Sequence, residues 1–152
     1  MRTVVLTAVF LGISLSLESA RASSLDDKIP DLQSIQALEA RAIQAQPREQ
    51  CFLYAELVHQ MTEMSLRQYA AGDVESASGM LKRIQQLAQK IHLSVANKDK
   101  RLKNAEILLS HTAFRLNEML RSSNLEDQLL VKQTLAQVNQ AQNEAMIGVF
   151  QR

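Results

Sequence analysis

The chain has 152 residues, with 17 Lys and Arg against 16 Asp and Glu and a formal net charge of +1. So even a balance excludes a general nucleic-acid binder, which needs a clear cationic excess, and a single cysteine excludes an internal disulfide framework. Aromatic residues make up only 4 %, while Ala, Leu, Gln, Glu, Lys and Arg are abundant, so the expected class is all-α.

The N-terminus reads as a cleavable signal peptide over residues 1–22. Arg2 and the α-amine form a small positive region, Val4 to Leu17 an apolar run, and Ala20-Arg21-Ala22 an A-x-A cleavage site before Ser23. The apolar run is shorter than the ~20 residues that span a bilayer, so no anchor is expected after cleavage. Without Arg2, Glu18 and Arg21, basic and acidic residues balance. Residues 23–30 read as a loose polar lead into one helical domain over 31–152.

Five helices are expected, at about 31–45, 47–71, 73–96, 99–121 and 124–150. The first is short, with Pro30 as a first-turn residue and Leu32, Ile35, Leu38 and Ala42 on one side; it ends before Pro47. The second carries Cys51, Tyr54, Val58, Met61, Ser65 and Tyr69 in one stripe, with Cys51 a small buried hydrophobe. Gly72 suits the left-handed residue that ends it, and Asp73 suits the next N-cap.

The stripes of the third helix (Val74, Ala77, Leu81, Ile84, Ala88, Ile91, Val95) and fourth (Leu102, Ala105, Leu109, Thr112, Leu116, Met119) are in phase. One helix over 73–121, about 70 Å long at ~1.5 Å per residue, competes with a break. A break is expected at Asn97-Lys98-Asp99, with Asn97 as C-cap and Asp99 as N-cap, so that the two segments can pack side by side. Ser123 with Glu126 matches a capping box at the start of the fifth helix, whose stripe is Val131, Leu135, Val138, Ala145 and Val149. The expected architecture is an up-down-up-down four-helix bundle with a short additional N-terminal helix. Tyr69 and Gly72 to Ala77 resemble the junction inside a tetratricopeptide repeat. The flanking helices are nearly twice too long for one and no 34-residue period emerges, so this is read as a shared turn chemistry.

Catalytic signatures are missing: there is no G-x-S-x-G, H-E-x-x-H or glycine-rich phosphate loop, and Cys51 has no adjacent His or Lys. The chain therefore reads as a non-catalytic protein without a cofactor. Glu56 and His59 form half of a di-iron helix motif, whose second Glu-x-x-His is absent. His59, Met61 and Met64 are the residues on which a copper or haem site would rest, the alternative reading of this chain as a ligand-binding bundle. The densest charge is Lys98, Lys100, Arg101 and Lys103 around Asp99, a basic turn suited to an acidic envelope protein or another anionic surface. Phe52, Leu53, Leu57 and Leu66, with Ile107, Leu108 and Phe114, widen two helices beyond a single seam; any left exposed together would mark a homodimer or partner face. The leading expectation is an exported binding or adaptor module of the cell envelope.

Overall fold

In the structure, a computed structural model, residues 30–151 are described. The expected signal peptide, its cleavage site and residues 23–29 lie outside them. The described chain is all-helical: α1 (Leu32–Gln44), α2 (Pro47–Ala70), α3 (Val74–Val95), α4 (Leu102–Ser122) and α5 (Leu125–Phe150). Among the described residues no helix is long and apolar enough to cross a membrane.

The stripes that the spacing predicts position α1 to α4 for the most part, although Leu32, at the first residue of α1, is 53 % exposed and off the buried side. Ile35, Leu38 and Ala42 of α1 are buried, as are all six stripe residues of α4. On α5 the buried seam is Val131, Thr134, Val138, Ala141 and Ala145, alternating by three and four. Leu135 and Val149 sit at its margin, partly buried. A small hydroxyl and two alanines make this seam weak in apolar content, which is why Leu135 and Val149 stand out in the sequence in its place.

Helix α2 is the centre of the molecule, packed against α1, α3 and α4. It therefore buries Leu53, Ala55, Leu57, Thr62 and Met64 in addition to its stripe. Leu53 and Leu57 are core, while Phe52 and Leu66 are partly buried against it.

The helices alternate in direction, but α3 and α4 do not lie side by side. Helix α3 packs on α2 and α5, and so does α4, which sets α3 and α4 on a diagonal. Pairs that join α2 to α4 keep an almost constant offset, 53 positions for His59–Thr112 and 52 for Glu63–Arg115, as parallel neighbours must. Gln85–Thr134 and His92–Glu144 show the same for α3 and α5. The connection over 96–101 thus crosses the end of the bundle, and this replaces the expected lateral pairing of α3 with α4.

Helix α1 runs antiparallel to α2, with Arg67 near the α2 C-terminus donating to the Pro30 carbonyl at the start of α1. Pro30 is therefore not in the first turn. Asp31 caps α1 instead, accepting from the Ser34 N–H at 2.6 Å while Ser34 Oγ accepts from the Asp31 N–H at 3.1 Å. An ion pair between Arg83 and Glu39 ties α1 to α3.

Two further termini depart from expectation. Helix α3 ends with Ala96 as its C-cap, and the left-handed residue beyond it is Lys98, at φ 54°, not Asn97. Ser123 ends α4 rather than opening a box with Glu126: its Oγ donates to the Met119 carbonyl at 2.5 Å, and Asn124 is the N-cap of α5. The box does not form because its hydroxyl is already engaged by the preceding helix.

Candidate functional site

The basic turn lies at the end of the bundle where α2 and α4 begin and α3 and α5 finish. Asp99 organises it. This residue is 0 % exposed, with Oδ2 accepting the Phe52 N–H of α2 at 2.9 Å and Oδ1 accepting the Arg101 N–H at 2.8 Å. The Asp99 carbonyl also accepts from the Leu102 N–H at 3.2 Å. Asp99 is thus not the N-cap of α4, which is Arg101 without a side-chain cap bond. One carboxylate clamps the crossing to the second turn of α2 and to the N-cap of α4, and burial of a polar group is tolerated where N–H donors meet it from both sides.

Around this clamp Lys98, Lys100 and Lys103 are exposed, whereas Arg101 is half-buried with its guanidinium 3.8 Å from the centre of the Phe52 ring. Arg101 is committed to that stack, a contact worth about 0.5–2 kcal/mol. The four cations named from the sequence therefore divide into three that face solvent and one that braces the turn. Next to them, Lys90 stands 5.6 Å over the Tyr54 ring. Leu93, Ile147 and Phe150 at this end are 73 %, 51 % and 82 % exposed. A shallow groove between α3 and α5 is lined by His92, Val95, Glu144, Ile147 and Gly148. Glycine fits there because a Cβ on residue 148 would come within 2.9 Å of Leu102 Cδ2 and 3.1 Å of Val95 Cγ1.

Cys51 is buried beneath the same turn. Loss of hydration on burial pushes its thiol up to about 11, aided by the charge of Asp99 and opposed by a hydrogen bond with Ser94. The thiol is neutral and unreactive at physiological pH. The unfolded chain releases this proton first, so stability falls as pH rises from 9 towards 11.

The residues considered for a metal are not brought together. Met61 is 0 % and Met64 7 % exposed, both in the core, while His59 points towards α4. Thr112 Oγ1 donates its one proton to the Leu108 carbonyl at 2.8 Å, so the 3.1 Å contact with His59 must run from His59 Nδ1–H to Thr112. Burial holds the His59 imidazole below its ordinary range, against the pull of Glu63. Among the described residues there is no group of three or more His, Cys, Asp and Glu that could hold a metal ion. His59 is instead part of the α2–α4 contact, beside the bidentate Arg115–Glu63 pair at 2.6 and 3.0 Å.

Beyond the core stripes, α5 carries an exposed apolar feature. Leu125 and Leu129 at the start of α5 are 86 % and 65 % exposed, and with Ile147 and Phe150 they lie on the side away from the buried seam. On α4, Ile107 and Phe114, seven positions apart, are also exposed, while Leu108 is partly buried. The signal available in the sequence is a pair of apolar residues at each end of α5, Leu125 with Leu129 and Ile147 with Phe150, offset from the buried seam. Comparison with protein-family models, with curated proteins and with solved structures finds no match.

Proposed function

We propose that this protein is an exported helical module of the cell envelope that works by binding rather than by catalysis, released by cleavage between Ala22 and Ser23. The basic end of the bundle is its contact surface, and its partner is another envelope protein that presents acidic groups there. The observation that supports this most is the pinned turn. Asp99 fixes the backbone through Phe52 and Arg101, so Lys98, Lys100 and Lys103 project from a rigid platform beside the exposed Leu93 and Phe150. A cationic surface with apolar neighbours, held without loss of chain entropy on docking, suits recognition of a partner with acidic and apolar groups.

The test is crosslinking in the native host, read by mass spectrometry, with the wild type beside a Lys100→Glu, Lys103→Glu variant. Arg101 is left in place because its loss would loosen the turn itself. A partner recovered at least tenfold less with the variant, at unchanged helicity and melting, is the expected result. Equal recovery overturns the role of the turn. A mature chain that begins at Met1 instead of Ser23 overturns export.

A further inference from the structure

We infer that the outward face of α5 is a self-association surface, on which a second copy of this chain docks with its own α5 antiparallel. The outward stripe runs through Leu125, Leu129, Ala136, Gln140, Ile147 and Phe150, all exposed, with Lys132 and Asn143 filling the intervening steps. Its steps of three and four keep it on one side of the helix, opposite the Val131–Ala145 seam.

The order of side chains along this stripe is its own mirror about a point near residue 138. Reversing the helix brings Leu125 level with Phe150, Leu129 with Ile147, Lys132 with Asn143, and Ala136 with Gln140. Bulky apolar groups then meet bulky apolar groups at both ends, and a small residue at the centre allows close approach. That is the self-complementarity an isologous two-fold contact requires.

Charge agrees with a second copy as occupant. Lys132 is the one ionised side chain on the stripe. In the reversed pair the two Lys132 levels differ by eleven residues, roughly 17 Å at 1.5 Å per residue, beyond the ~8–10 Å screening length of physiological salt. Each Lys132 meets a neutral Asn143 and no like charge.

Area agrees as well. Helix α5 has 26 residues, so it is about 39 Å long, and its own face offers only about 400 Å². The antiparallel neighbour α4 adds Ile107 and Phe114, 44 % and 62 % exposed. Taken with the edge of α4 beside it, the contact approaches the ~800 Å² per partner of a standard interface. This surface runs along the side of the bundle and takes Ile147 and Phe150 from the edge of the basic end, but leaves Lys98, Lys100 and Leu93 outside it, so it does not depend on the role proposed for that end.

Sedimentation and a cysteine pair test the inference. The purified wild type is expected at twice the chain mass. Leu129→Glu with Ile147→Glu should give a monomer of unchanged helicity, because both residues are exposed in the single chain. In a second variant, Leu129→Cys with Ile147→Cys should join two chains under mild oxidation through 129–147′ links, with Cys51 inert in its buried site. Neither single cysteine should do so, since like positions lie roughly 27 Å apart in the antiparallel pair. A wild type that stays monomeric at every concentration overturns the inference, whether residues 1–29 or a different protein then cover the face. So does a dimer that persists in the glutamate variant, or one linked equally well by a single cysteine.

Discussion

The two hairpins of this bundle, α2–α3 and α4–α5, have helices of similar length but close their turns by opposite means. The first closes with its own atoms. Ala71 and Gly72, the latter at φ 83°, reverse the chain while the Asp73 N–H bonds the Gln68 carbonyl at 2.9 Å and the Gly72 N–H bonds Tyr69 at 3.0 Å. Asp73 then caps α3 by accepting the Ser76 N–H at 3.1 Å. The second turn has no side-chain cap of its own at Asn124. It is held from outside by Tyr69, whose hydroxyl accepts the Asn124 N–H at 2.9 Å and donates to Asp127 Oδ2 at 3.0 Å. The α3–α4 crossing resembles the second turn, since Asp99 reaches back to Phe52. A turn satisfied locally is stable wherever it is placed, whereas one satisfied by a distant side chain exists only once the bundle has assembled.

That contrast can be broken at three levels, each read as a shift of the urea midpoint. The largest expected effect is Asp99→Ala, which removes the acceptor shared by two part-buried N–H groups and should cost about 2–3 kcal/mol, with the crossing more open to proteolysis. Tyr69→Phe follows, removing one donor and one acceptor from the second turn for about 1–2 kcal/mol while leaving the Gly72 turn intact. Hydrogen exchange should show the loss at residues 123–128 and not at 71–76.

The smallest effects are the most discriminating. Asp73→Ala should destabilise measurably at pH 7. The bonds to Ser76 hold the Asp73 carboxyl below its ordinary range, so its contribution is present above the unfolded value and is lost as pH falls through the folded one. The difference from wild type should therefore fade in acid. Glu126→Ala, which would remove half of a capping box had one formed, should stay within about 0.5 kcal/mol of wild type at every pH.

The same contrast explains how much of the fold was legible in the sequence. Helix existence, the stripes of α1 to α4 and the Gly72–Asp73 turn depend on neighbours within four residues, and periodicity carries that information. Ser123 and Asp99 each match a local cap in the sequence but serve elsewhere, because Met119 of the preceding helix and Phe52 of α2 compete for them. The diagonal placement of α3 and α4 was hidden for the same reason, since two in-phase stripes say which side is buried but not which neighbour buries it. At the site, the density of Lys98, Lys100 and Lys103 was legible, and the commitment of Arg101 to Phe52 was not. The apolar outer face of α5 was open to detection and was obscured by the weak Thr134–Ala141 seam behind it.

Parallel neighbours also sort the helix dipoles. With α2 beside α4 and α3 beside α5, each end of the bundle is divided into a half of helix N-termini, rich in free N–H groups, and a half of C-termini, rich in free carbonyls. Asp99 lies in the first kind of half, and Lys98 follows directly from the second. At the far end Glu75, Glu126 and Asp127 occupy the opening turns of α3 and α5, while Arg67 and Arg121 occupy the closing turns of α2 and α4. That far end is thereby polarised, acids over the donors and bases over the acceptors, whereas at the basic end Arg101 and Lys103 crowd the N-terminus of α4, whose first turn holds no acid.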